Sequence, residues 1–294
     1  MMAGKGLPQD CGLLVVGHGT ADRVGEAETR TLVGHISDAC PGGAVELGFL
    51  EVIGPSVGES LRRLCARGVD RVVAAPLLLF TNGHARRDLP EALAAAVAEE
   101  RIPVVQAAAL GHHPELVRLS RRRREETRRV LPPLDPREEA LVFVGRGASD
   151  PAAATQLITF LEATRACGAD CRPGEPAAIC GRGLCPATCA ALPIPPGPGR
   201  GGVGFVAAAR PTVEEALEEI VDPSRPGLVP RRVLVQPHLL FRGRVEEQVR
   251  EAVDRARSRH PAIEWIVVPR LGAEPDVARA VVARALETLE KVEG

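Results

Sequence analysis

Two histidines and one glutamate in the first half of the chain stand in settings suited to divalent-metal and proton chemistry. They are His18 in Gly17-His18-Gly19-Thr20, Glu51 in Phe49-Leu50-Glu51-Val52, and His84 in Asn82-Gly83-His84. A neutral imidazole accepts a proton and also binds borderline divalent ions. A carboxylate such as Glu51 orients a metal or takes a proton. Glycine on both sides of His18 lets a bulky ligand approach the backbone. An isolated histidine is ordinarily a turn residue, so the case rests on comparison with the second half of the same chain.

That half repeats the first in order. LLVVGHGTAD, FLEVIGPSVGESLRRL, RVVAAPLLLFTNGHARRDLPEAL and LGHHPELV return as ALVFVGRGASD, FVAAARPTVEEALEEI, RVLVQPHLLFRGRVEEQV and LGAEPDVA. This is a duplicated supersecondary unit. His18 faces Arg146, Glu51 faces Ala207, and His84 faces Arg244 or Val245. Positions that only maintain the fold tolerate one residue in both copies. Positions where only the first copy carries His or Glu are therefore the active-site candidates.

The elements that must position them are short Val/Leu/Ile runs alternating with helical patterns. Strands are expected at 12–17, 45–50, 71–79 and 103–108, and again at 140–145, 202–207, 232–240 and 263–268. The runs lack polar alternation, so both faces are buried, as in parallel sheets with right-handed crossovers. Asp22 is placed to cap a helix after His18, and Asp88-Leu89-Pro90-Glu91 reads as a capping box, with Ser149-Asp150-Pro151 its counterpart. His18 then lies past the C-terminal end of the first strand and His84 beyond the third, the edge where open parallel sheets bind ligands.

A Pro-rich linker at 130–136 separates the halves, and Arg121–Arg124 before it reads as the solvated face of a helix. His112, His113, His35, His260 and His238 read as structural, His112 and His113 at the start of a helix. Residues 167–202 have no counterpart in the first copy and read as an insertion. It holds Cys167, Cys171, Cys180, Cys185 and Cys189, spaced to supply four ligands to a [4Fe–4S] cluster or a structural zinc, with free or redox-active thiols the remaining alternative. The CxxC pairs of a zinc ribbon are missing.

At 294 residues with 45% apolar content the chain can build two cores. A net charge of −1 gives no general case for nucleic acid or an anionic membrane, and the absence of Tyr argues against a base-stacking platform. No apolar run reaches about 20 residues, the length of a membrane span. The expectation is a cytoplasmic protein, a monomer because its domains are fused, with no nucleotide, since neither a P-loop nor GxGxxG occurs. A histidine phosphatase would need Arg before His-Gly, and Gly17 stands there.

VGHGT, FLEVIGPSV, PLLLFTNGHARRDLP and LGHHPEL together resemble sirohydrochlorin chelatases of the CbiX/SirB type, within the class II chelatase superfamily. VGRGASDP, ARPTVEEAL and LLFRGR resemble the degenerate C-terminal half of the long forms. The resemblance implies an α/β chain of two tandem chelatase-like domains, each a four-stranded parallel sheet flanked by helices. Residues 1–130 would be catalytic and 138–294 degenerate. It implies insertion of Co2+ or Fe2+ into sirohydrochlorin, towards cobalamin or sirohaem. His18 and His84 match the family's active-site histidines, with Glu51 beside them. Gly19, Thr20, Asn82, Gly83, Arg86 and Arg87 would face the substrate, the arginines clamping its carboxylates, with Arg146 or Arg244 helping from the second copy. The alternative is a non-catalytic iron–sulfur protein that binds a tetrapyrrole or metal.

Overall fold

A computed structural model of the chain describes residues 6–80, 87–148, 151–166 and 199–293. The first repeat runs β1 (Cys11–Gly17), α1 (Arg23–Ala39), β2 (Ala44–Phe49), α2 (Val57–Ala66), β3 (Arg71–Pro76), α3 (Leu89–Glu100), β4 (Val104–Gln106) and α4 (Pro114–Arg129). The second runs β5 (Glu139–Gly145), α5 (Pro151–Ala166), β6 (Arg200–Phe205), α6 (Val213–Val221), β7 (Arg232–Pro237), α7 (Arg244–Arg259), β8 (Glu264–Val267) and α8 (Pro275–Glu293).

The strands form two four-stranded sheets, ordered β2-β1-β3-β4 and β6-β5-β7-β8. All pairings are parallel, with Gly17 opposite Phe49 and Val16 opposite Pro76 in the first sheet. Gly145 opposite Phe205 and Val144 opposite Pro237 repeat that register in the second. The strand order reverses beside the first strand of each sheet, so its C-terminal end is a topological switch point. The runs expected at 71–79 and 232–240 stop at Pro76 and Pro237. Regular pairing with β1 and β5 ends there, and the chain goes on through single hydrogen bonds such as Leu77 N–H to Val16 O, Leu110 N–H to Leu78 O and Leu271 N–H to Leu239 O.

Alternation along buried strands divides the cores. Leu14 and Val16 face Leu61 and Leu64 of α2 and Leu89 and Leu93 of α3. Val142 and Val144 face Leu217 and Ile220 of α6 and Val249 and Val253 of α7. Each such leucine or valine contributes about 1.5–3 kcal/mol on burial.

The compact units do not follow the two sequence halves. One comprises Met1–Glu115, Phe241–Gly243 and Gly272–Gly294, the other Leu116–Leu240 and Arg244–Leu271. Almost all of α4 therefore belongs with the second sheet, while α8 belongs with the first, packing on α1 and β3. The boundary read from the linker falls between sequence repeats, whereas the packing boundary exchanges their last helices.

The arginine run is corrected by this packing. Arg122 is exposed, but Arg124 is only 4% exposed. Its guanidinium donates to Thr164 Oγ1 and Thr164 O at 3.1 Å each and to Gln236 Oε1 at 3.4 Å. The Gln236 amide donates to Ser120 O at 2.9 Å. Ser120 and Arg124 lie one helical turn apart, so both face β7. Burial, reinforced by Arg128 and Arg121, pushes the Arg124 pKa down to about 9, which leaves it cationic at neutral pH. Arg124→Met should lower unfolding free energy by about 1–3 kcal/mol through the carbonyl and amide oxygens left without a donor. Denaturant titration checks this.

Helix starts follow the sequence reading except at Asp88. Asp22 Oδ1 accepts from the N–H groups of Val24 and Gly25 at 2.9 Å. Asp88 is itself helical, with φ −66° and ψ −40°, and makes no capping hydrogen bond. His113 Nδ1 accepts from Glu115 N–H at 3.3 Å and so opens α4. His238 is buried, its ring packed between Phe143 and Phe160. Among the described residues no helix is long and apolar enough to cross a membrane.

Candidate active site

The C-terminal edge of the first sheet is built by backbone before any side chain is considered. Leu50 N–H donates to Gly17 O and Glu51 N–H to His18 O, both at 3.0 Å, which extends the β1–β2 pairing one step beyond the strands. Gly19 has φ +102°, and a Cβ there would stand 1.9 Å from the Glu51 carbonyl oxygen. Only glycine fits this approach.

The chain then turns sharply. Val52 has φ +70° and Ile53 N–H donates to Glu51 O at 2.8 Å, a three-residue turn that is rare and strained, the more so for a β-branched residue. Such strain costs on the order of 1–3 kcal/mol and persists where the surroundings impose it. Below the turn Ser56 and Glu59 form a reciprocal capping box that starts α2.

This scaffold brings His18 and Glu51 together. His18 Nε2 lies 3.1 Å from Glu51 Oε1. The side chains are 30% and 60% exposed, so an ion and a large flat ligand can reach both. Thr20 Oγ1 accepts from Asp22 N–H at 3.1 Å, which ties the His18 loop to the start of α1. An imidazole and a carboxylate at hydrogen-bonding distance can share a divalent ion or relay a proton.

The second copy keeps the scaffold and drops the chemistry. Ala207 N–H donates to Arg146 O at 2.9 Å and Val206 N–H to Gly145 O at 3.1 Å. Gly147 has φ +87°, with a would-be Cβ 1.8 Å from the Ala207 oxygen. Ala208 has φ +56°, and Thr212 with Glu215 repeats the capping box. The pairing of His18 with Arg146 and of Glu51 with Ala207, read from the repeat, is thus the pairing of the backbones.

Of the other expected site residues, Gly19 and Thr20 lie in this loop and Arg87 is exposed before α3. Asn82, Gly83, His84 and Arg86 lie outside the described residues, as do Ser149 and Asp150 and all five cysteines of the insertion. Among the described residues no group of three or more His, Cys, Asp or Glu could hold a metal ion. Sequence reasoning missed the strained turn at Val52, which has no composition signal. Arg242 stands in the copy-two loop matching the His84 loop and belongs to the first compact unit, which the repeat alone does not announce.

Comparison with known proteins places the chain in a family. The CbiX family model matches residues 12–127 and 199–288. A sirohydrochlorin cobaltochelatase of Priestia megaterium is 26% identical over 283 residues, covering 95% of this chain and 80% of its own. A sirohydrochlorin ferrochelatase of the same organism is 26% identical over 253 residues, covering 85% and 79%. Among solved structures, SirB from Bacillus subtilis with Fe3+ superposes with a TM-score of 0.74 at 20% identity over 97% of each chain, a likeness of fold. The match covers the first repeat and the second from residue 199 onward, about seven-tenths of the chain, and leaves out 128–198, where β5, α5 and the cysteine-rich segment lie: the chain belongs to the CbiX family.

Proposed function

We propose that the chain is a sirohydrochlorin chelatase, a lyase-type enzyme that inserts Co2+ or Fe2+ into the tetrapyrrole in cobalamin or sirohaem biosynthesis. The observation that carries it is the His18–Glu51 pair, 3.1 Å apart at the switch point of the first sheet, on a scaffold whose second copy holds Arg146 and Ala207 instead. Insertion replaces two pyrrole N–H bonds by bonds to the metal and releases two protons. In this reading the metal substrate arrives at the His18–Glu51 edge and sheds water there. His18, with His84 as the second imidazole, would hold the ion until the ring nitrogens replace them, and each imidazole so released would take one of the two pyrrole protons, with Glu51 passing them on to solvent.

Support comes from the names of the two Priestia megaterium relatives and from family membership. The test is an anaerobic assay with purified protein, sirohydrochlorin and Co2+, Fe2+ or Ni2+ in turn. Acceleration above the spontaneous rate supports the proposal. Tight tetrapyrrole binding without acceleration would support the non-catalytic binding protein instead.

Gly19 and Thr20 of the His18 loop, Asn82, Gly83, Arg86 and Arg87 are assigned to the substrate in the same reading. One polypeptide supplies both sheets, so a monomer suffices. A cytoplasmic location is part of the proposal, in keeping with the free thiols of Cys11, Cys40 and Cys65. The spacing of Cys167, Cys171, Cys180, Cys185 and Cys189 supports a [4Fe–4S] cluster apart from the catalytic residues. Anaerobically purified protein should then be brown and contain iron and acid-labile sulfide. Colourless protein with one zinc would replace the cluster by a structural site.

A further inference from the structure

The second repeat has lost the imidazoles, yet a piece of it belongs to the first compact unit. Phe241–Gly243 group with the first sheet, although the residues before and after them group with the second. They lie in LLFRGR, the counterpart of LLFTNGHARR.

Three contacts fix this piece at the start of α1. Arg242 N–H donates to Glu28 Oε2 at 2.7 Å. The Arg242 carbonyl lies so close that a Cβ on Gly25 would stand 2.5 Å from its oxygen, so α1 carries glycine where the loop meets it. Arg242 Nε lies 4.0 Å from Asp22 Oδ2, the carboxylate that caps α1 in the loop carrying His18. The backbone is thus held closely while the side chain remains 47% exposed. A partly exposed ion pair at that distance contributes little stability and leaves the guanidinium accessible to solvent.

We propose that Arg242 is a substrate-binding residue of the first-repeat site, its guanidinium engaging a peripheral carboxylate of the tetrapyrrole. The inference rests on the chelatase reading and deepens it. Glu51, Asp22 and Glu28 put negative charge on this side of the site, which disfavours a polycarboxylate unless cations stand beside them. Arg242 supplies one next to the His18 loop. Its planar fork matches a carboxylate in two hydrogen bonds, which an ammonium does not. The degenerate copy thereby contributes a recognition group to the site whose chemistry it has lost.

The test uses the full chain. Binding of metal-free sirohydrochlorin is followed by the ligand's own fluorescence, and metal insertion is measured in parallel. Arg242→Ala should raise Kd and KM for the tetrapyrrole about tenfold, the equivalent of one charge-assisted hydrogen bond. Its kcat and its KM for the metal should stay within about twofold, the signature of a group that binds ground and transition states alike. Arg242→Lys, which preserves the backbone docking and the charge, should recover part of the affinity. Gly25→Ala keeps the arginine but forces the loop away from α1, and should raise Kd as well. An Arg242→Ala protein with the wild-type Kd overturns the assignment, as does a fall in kcat at unchanged Kd. If the wild type neither binds nor metallates sirohydrochlorin, the chelatase reading itself fails. A wild type that does both beside an indifferent Arg242→Ala removes only the role of Arg242.

Discussion

A chain ending at Leu271 should lose the fold of the first unit and with it all metal insertion, although every residue of the first repeat is still present. The reason is the exchange of last helices. α8 belongs to the first unit and buries Val277, Val281, Val282 and Leu289. At about 1.5–3 kcal/mol each, these side chains alone are worth roughly 6–12 kcal/mol as an upper estimate. A whole domain is stable by only about 5–15 kcal/mol. Polar ties are lost as well: Arg279 to Glu115 at 3.2 Å, Arg284 to the Leu110 carbonyl at 3.1 Å, and Arg71 to Glu293 at 2.6 Å. Calorimetry of the shortened chain should show the transition of the second unit without that of the first. A shortened chain that keeps both transitions and turns over would contradict the exchange.

The same exchange marks where the sequence stops being legible. The central strands β1, β3, β5 and β7 were visible as apolar runs because both sheet faces are covered there. The edge strand β6, by contrast, reads RGGVGF and begins at Arg200, inside the stretch read as an insertion. The repeat then gave the topology twice. Which helix covers which sheet was not visible, because neighbours in sequence are usually neighbours in space. Side-chain chemistry holds the answer in a form that needs the register. Gln236 of β7 stands where β3 has Ala75, and it pairs with Ser120 and Arg124 of α4. The apolar inner face of α8 suits the sheet that carries Ala75. Read without that partner, an arginine run is a solvated face, and Arg124 was misread for this reason.

The site divides similarly. His18 and Glu51 were legible because one copy keeps them and the other does not, and the backbone pairing sets them side by side. The turn at Val52 was not, since nothing in a valine announces a positive φ. The role proposed for Arg242 was not, because it follows from a loop held at the start of α1 by Glu28 and Gly25, contacts remote in sequence.

His18→Ala should reduce kcat/KM for metal insertion by about 10²–10⁴-fold, the range over which a positioned acid–base group acts. The loss should fall mainly on kcat, because the imidazole handles the ion and the pyrrole protons while the ring carboxylates are held elsewhere. Glu51→Gln should fall in the same direction by less, since Glu51 is 60% exposed and water can take over part of its proton transfer. His84→Ala should match His18→Ala if the second imidazole is His84.

The counterpart substitution is the sharper comparison. Arg146 occupies the His18 position of a scaffold with the same backbone hydrogen bonds, and it stands in the second unit. Replacing it changes the repeat equally and the proposed chemistry not at all. The most direct measurement is therefore the single-turnover rate of Co2+ insertion into sirohydrochlorin, under anaerobic conditions and with the spontaneous rate subtracted, for wild type, His18→Ala and Arg146→Ala side by side. A single active site in the first repeat predicts a rate near background for His18→Ala and a rate close to wild type at saturating tetrapyrrole for Arg146→Ala. Equal losses in the two variants would contradict it.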